Sequence, residues 1–320
     1  MRGLIAVVIG VALVWAGWWM VGSRAALRGA EAVLAALPSR GLHGGAEVTV
    51  AGFPNRFDLT FTDLHLTDPQ KGLAWQTPWA QVFAMGWKPW HLIGALPSGQ
   101  RITTPYQDFT LDGEMIRASL QMRPAGDLAL EQISGHVTAG QLASSQGWAL
   151  GWQWAQASLA RQDDDRKHLF AVKADAISLP VAPPGLSAQV EGLEAVAILT
   201  FDPDLDRYLT SAPAVVAVDL REARLIWGAV KLFGKGTVAA DAAGLAEGEV
   251  ALRVEGWRPA WEALRAAANL PPLVQSGIAA MLENLSQQSA NPEVLDLDLV
   301  MEGGMMRLGP MPLGPAPRLR

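Results

Sequence analysis

Residues Gly3 to Ser23, GLIAVVIGVALVWAGWWMVGS, carry no charged side chain. As a helix rising 1.5 Å per residue, this run covers about 30 Å, the thickness of a bilayer's hydrocarbon core. Trp15, Trp18 and Trp19 gather near its C-terminal end, where an aromatic belt meets the membrane–water interface. A cleavable signal peptide would share the charged start at Arg2, but its apolar stretch usually runs about 7–15 residues and closes on small residues. Here the run is longer and its end is bulky, so residues 1–23 are expected to be an uncleaved signal-anchor. The chain has no cysteine, which excludes lipoprotein attachment. Arg2 and the α-amino group favour a cytoplasmic N-terminus against Arg24, Arg28 and Arg40 on the other flank. No second apolar segment of that length follows, so residues 24–320 are expected to be exported.

Half of the chain is apolar and 18% is charged, below the roughly 25% usual for soluble domains. The net charge is −6 with no cluster of Lys and Arg, so nucleic acid is not an expected partner. Residues 24–45 read as a juxtamembrane helix and linker: Leu27, Ala30, Leu34 and Leu37 share a face, and Pro38 with the glycines at 41, 44 and 45 end it. From residue 46 the period changes to that of strands. In RFDLTFTDLHL the apolar residues fall at Phe57, Leu59 and Phe61, then at Leu64 and Leu66. One slip of phase in an alternating run is the mark of a β-bulge. Asp112-Gly113 stands between two alternating arms and reads as a hairpin. Similar strands continue to the end, separated by short loops rich in Gly, Asp and Pro. Helices are expected only after Pro89, over PAWEALRAAANL and over PPLVQSGIAAMLENLSQQ. The fold class is therefore mainly β or α+β, with extended antiparallel sheet and few helices behind the anchor.

The tetrapeptide GWKP at Gly86–Pro89 returns as GWRP at Gly256–Pro259. Each copy follows strands with an internal tryptophan, Trp75 or Trp227, and each is expected to lead into a helix. Proline suits a first helical turn and holds the residue before it extended, while the glycine permits a sharp corner. Gly86, Trp87, Pro89, Gly256, Trp257 and Pro259 are thus expected to build two strand-to-helix corners anchored by tryptophan. The repeat suggests a β-rich domain over 46–320 with two related halves, 46–150 and 190–320.

Taken together, the anchor, AGFPNRFDLTFTDL, the W…TPWAQVFAMGWKPW segment and the C-terminal LDLDLVMEGGMMRLGPMPLGPAP resemble the bacterial domain of unknown function 2125 family. Gly52–Pro54 and Trp87–Pro89 are the most specific pieces. That family implies no activity. The strand pattern over residues 214–317 also loosely resembles AsmA-type envelope proteins, which implies a membrane-anchored, groove-forming protein concerned with lipid.

No residue pattern announces chemistry. The histidines at 43, 65, 91, 136 and 168 lack metal-site spacing, and no G-x-S-x-G elbow exists. FGKGT at 233–237 fails the phosphate-loop pattern and reads as a glycine-rich bend between strands. DPDLD at 202–206 fails the EF-hand pattern at Arg207 and Pro213, and DDDRKH at 163–168 reads as an exposed hairpin tip. No catalytic residue, metal or cofactor is expected. Ten of the thirteen tryptophans lie beyond the anchor. They serve either a thin β-layer's core or an aromatic surface for sugars, acyl chains or the membrane interface. Trp148, Trp152, Trp154 and Trp90 are the candidate ligand-binding residues, with Trp152 and Trp154 on one face of a strand. The expected protein is non-enzymatic and single-pass in a bacterial inner membrane, with a periplasmic domain binding lipid or another hydrophobic ligand. The alternatives are a glycan-binding or glycan-cleaving protein and a scaffold for an envelope complex. The lipid bilayer is its expected partner, and no protein partner is named by the sequence.

Overall fold

The computed structural model describes residues 2–209, 211–267, 271–309 and 311–319. The uncharged run and the segment after it form one helix, α1 (Arg2–Ala35). Its 34 residues reach about 51 Å, well beyond the hydrocarbon thickness. The stretch Gly3–Ala35 is long and apolar enough to cross a membrane. Pro38–Arg40 makes a single 3-10 turn after it, closed by the Gly41 N–H on the Pro38 carbonyl at 3.0 Å.

Two compact units follow from the contacts, Met1–Pro124 with Ile133–Ala149, and Ala125–Gln132 with Leu150–Arg320. In the first, β1 (His43–Ala51) pairs antiparallel with β2 (Arg56–Asp68), and β2 with β3 (Leu73–Met85). The far edge of β3 is shared by β4 (Lys88–Leu96) and β5 (Gln100–Thr103). After β5 come β6 (Asp108–Asp112), β7 (Met115–Met122) and β8 (Leu130–Ser144); β4 pairs with β7, β5 with β6, and β6 with β8. The phase slip in β2 is a bulge. Gly45 faces His65 while Glu47 faces Thr62, so β2 holds one extra residue, and Asp63 takes φ 52.

The second unit is a meander of antiparallel neighbours: β9 (Ala149–Arg161), β10 (Lys167–Ser178), β11 (Gln189–Asp202), β12 (Ala214–Trp227), β13 (Val230–Ala240), β14 (Ala246–Glu255), β15 (Val294–Glu302), β16 (Met305–Leu308) and β17 (Met311–Pro315). Between β14 and β15 the chain leaves the sheet for α2 (Trp257–Ala267) and α3 (Pro272–Gln288). These helices bring Trp257, Trp261 and Leu282 onto Leu295 and Leu297 of β15 in one apolar cluster.

Four local expectations are corrected. The chain after Pro89 is strand β4 rather than a helix, so Gly86-Trp87 is a strand-to-strand turn and Trp87, at 59% exposed, anchors no corner. Pairing of Phe83 with Ile93 and Ala84 with Leu92 draws this segment into the sheet, and tertiary pairing outweighs the proline signal. At the second copy, Arg258 lies inside α2 and is not extended; Pro259 occupies the first helical turn, where its missing N–H would have had no partner. The arms flanking Asp112-Gly113 do not form a hairpin, because both edges of β6 are already taken by β5 and β8. Gly234-Lys235-Gly236 is not a bend but the middle of β13. A side chain on Gly236 would run into the Glu249 carbonyl, so the glycines there allow β13 and β14 to approach closely.

Candidate functional site

In an antiparallel ladder, residues directly opposite each other project from the same face of the sheet. The register across the second unit therefore shows which side chains stand together. One row reads Leu295, Val254, Leu232, Leu225, Leu193, Ala174 and Ala155, from β15 to β9. The next reads Leu297, Leu252, Gly234, Ala223, Ala195, Val172 and Ala157, and the third Leu299, Val250, Gly236, Leu220, Ala197, Phe170 and Leu159. The fourth is Met301, Gly248, Val238, Val218, Leu199, His168 and Arg161. Only at its last two positions does polarity enter. The phase survives because β12 carries a bulge at Arg221 and Glu222, which restores Leu220 to the face of Ala223.

With strands about 4.8 Å apart and alternate residues about 6.7 Å apart, the four rows across seven strands span roughly 29 by 20 Å. Cover is uneven along this face. At the β15 end, α2 and α3 pack Trp257, Trp261 and Leu282 on it, and Ala316 with Leu319 cover the region of Met301. Toward β9 cover thins in places: Leu193 keeps 39% of its surface and Ala157 is exposed, while Ala197 and His168 on the same face are buried. Contiguous apolar surface on this scale commonly marks a binding site.

The edge of the face at β9 and β10 has its own polar chemistry. His168 is fully buried, meets Phe201 edge-on at 5.7 Å, and has no hydrogen-bond partner on either ring nitrogen. Beside it Arg161 pairs with Glu131 at 3.0 Å and Asp165 at 3.3 Å. The opposite face carries a charged row beside rows that hold Ala171, Val196, Leu169 and Ile198. The charged row, Asp296, Arg253, Phe233, Arg224, Glu194, Lys173 and Gln156, holds cross-strand pairs Arg253–Asp296 at 3.2 Å and Arg224–Glu194 at 2.9 Å. Shallow depressions of about 360 and 390 Å³ on that side are lined by residues such as Asp219, Arg221 and Lys235.

The tryptophans proposed from sequence do not line the apolar face. Trp154 shares its cross-strand row with Asp175 on the charged side, and its ring lies 5.9 Å from Lys173 Nζ. Trp152, two residues away on β9, projects to the same side, half-buried with its indole N–H unpartnered. Trp148 belongs to the first unit and meets Phe109 edge-on at 5.8 Å; Trp90 is on β4 of that unit. At the second corner, Trp257 is 5% exposed and its indole N–H donates to the Pro292 carbonyl at 3.0 Å. Arg258 stacks on that ring at 4.7 Å, but its guanidinium is held by Glu283 at 3.0 Å and Glu293 at 2.7 Å, so two carboxylates already answer its charge. A cavity of about 460 Å³ lies between α2 and α3 against these residues.

Sequence reasoning missed the apolar residues Leu193, Val172 and Phe170. Their signal was the period-2 alternation of each strand, which names a face only once the register of all seven strands is known. Among the described residues, no three His, Asp or Glu side chains gather to hold a metal. The arrangement offers hydrophobic association over a wide surface.

No curated protein matches the chain, and no solved structure does. A family model described as an uncharacterized protein conserved in bacteria, DUF2125, matches residues 19–317. That match takes in both units and the C-terminal part of α1, and the chain belongs to this bacterial family.

Proposed function

We propose that this is a non-enzymatic, membrane-anchored envelope protein whose second unit takes up the acyl chains of lipids on its apolar face. The observation that supports this is the four-row apolar surface, with Leu193 and Ala157 exposed on it and a row of cross-strand ion pairs on the opposite face. Burying apolar area contributes about 25 cal/mol per Å², so even a few hundred Å² of acyl contact offsets much of the cost of ordering a chain. The helix α1 fits a single pass through the bacterial inner membrane with both units in the periplasm, beside the lipid reservoir.

The test is a diazirine-bearing phospholipid crosslinked to the full-length protein in membranes, with adducts mapped by mass spectrometry. Adducts are expected on α1 and on peptides of β9 to β12. Leu193→Asp and Ala157→Asp should remove the β9–β12 adducts and spare those on α1, while Gln156→Asp in the charged row of the opposite face should change neither. Adducts confined to α1 would overturn the reading and leave the surface to a protein partner or a sugar.

A further inference from the structure

We infer that the β1–β2 and β3–β4 turns of the first unit are seated in the headgroup layer of the membrane that α1 crosses. This rests on the anchor reading of α1 but not on lipid uptake by the second unit. The β1–β2 turn is tied to the helix from the side. Trp15 Nε1–H donates to the Pro54 carbonyl at 2.9 Å, and Trp19 Nε1–H donates to the Arg56 carbonyl at 2.7 Å. The Trp19 ring meets Phe53 edge-on at 5.4 Å and stacks on Phe57 at 6.4 Å. Gly22 makes room, since a Cβ there would stand 2.5 Å from the Phe57 ring.

These contacts fix the depth of the turn. They set the turn level with Trp15, Trp18 and Trp19, the aromatic group near the C-terminal end of the uncharged run, which belongs at the membrane–water interface. The turn is built for that place. Non-helical backbone near lipid needs its polar groups satisfied within the protein. The Gly52 carbonyl accepts from Asn55 and Arg56 N–H at 3.3 and 2.9 Å, and the Asn55 carbonyl accepts from Gly86 N–H at 2.8 Å. With the indole bonds, the carbonyls of Gly52, Pro54, Asn55 and Arg56 are all engaged, and Pro54 has no N–H. The one cation in the turn, Arg56, is paired with Asp58 at 2.8 Å and lies over the Phe83 ring.

The side chains facing outward are the wrong ones for water. Phe53 and Trp87 are each 59% exposed and Met85 39%. The Gly86–Asn55 bond joins the two turns that carry them. Aromatic residues with Lys88 beside them are the composition of a membrane interface.

The chain has no cysteine, so single substitutions can carry a nitroxide label without further change. Phe53→Cys, Met85→Cys and Trp87→Cys are labelled in the full-length protein in phosphatidylcholine–phosphatidylglycerol bilayers. Val8→Cys in α1 serves as the lipid control. Tyr106→Cys serves as the water control: Tyr106 is 88% exposed, and the neighbouring Pro105 lies against Gly72 at the far end of β3. That end is about 40 Å from Met85 along the strand. The ratio of oxygen to nickel-complex accessibility at 53, 85 and 87 should exceed that at 106 severalfold. Equality with 106, while position 8 reports lipid, overturns the inference and leaves the anchor standing. A water-like signal at position 8 would remove the anchor and the inference together. If the loss of the Phe53 ring unseats the turn, the labels at 85 and 87 decide, because the Trp15 and Trp19 bonds to the β1–β2 turn remain in those variants.

Discussion

Trp257 is 5% exposed, packed with Trp261, Leu282 and Leu295, and bonded through its indole to Pro292. Truncating it to Ala should cost about 3–5 kcal/mol. Trp87 stands in the same tetrapeptide setting and is 59% exposed; its truncation should change stability by no more than about 0.5 kcal/mol. Thermal unfolding of the full chain in nanodiscs, followed by near-ultraviolet circular dichroism, separates the two. Equal losses would show that both tryptophans are core. His168 gives a second residue-scale test. A buried imidazole with no partner on either nitrogen keeps its desolvation cost without return. His168→Leu extends the apolar row it sits in, and should leave stability unchanged or raise it by about 1 kcal/mol. A loss of several kcal/mol would reveal a bond that His168 makes in solution.

Strands are legible in this sequence where alternation is local. The run Phe57, Leu59, Phe61, then Leu64, Leu66 identified β2 and its bulge, because period and phase slip lie within eleven residues. Partner choice was not legible. Asp112-Gly113 has the chemistry of a tight turn, yet β6 meets β5 and β8, and no local residue encodes that both its edges will be filled. The glycines of FGKGT suggest a bend because, in a single strand, a close approach and a corner look alike. The structure supplies the neighbour: at Gly248 on β14, φ is +148 and a side chain would strike the Thr237 carbonyl of β13. Gly248→Ala should therefore destabilise the second unit by about 1–3 kcal/mol, by strain and by prising the strands apart. Hydrogen exchange should show the loss first in the amides of β13 and β14. Protection unchanged there would mean that the strands do not depend on this contact. The candidate surface was invisible for the related reason that it is a property of the six registers that join seven strands, of which the sequence states none.

For the whole molecule, the proposed single-pass topology predicts that a C-terminal alkaline phosphatase fusion is active and a cytoplasmic reporter inactive, and the reverse would place both units in the cytoplasm. The family match covers residues 19–317, so the apolar surface and the turns beside α1 both fall within what the family model describes. One consequence concerns selectivity. Across four rows the surface presents no hydrogen-bonding side chain except His168, which is buried, and Arg161, which Glu131 and Asp165 already hold. A bound phospholipid would find nothing on this surface to tell choline from glycerol or ethanolamine. Discrimination would fall instead to the tails, through their length, unsaturation and number, as in any fit to a greasy surface of fixed extent. Crosslinking yields on β9 to β12 should then be alike for phospholipids that differ only in headgroup, and should diverge for those that differ only in chain length.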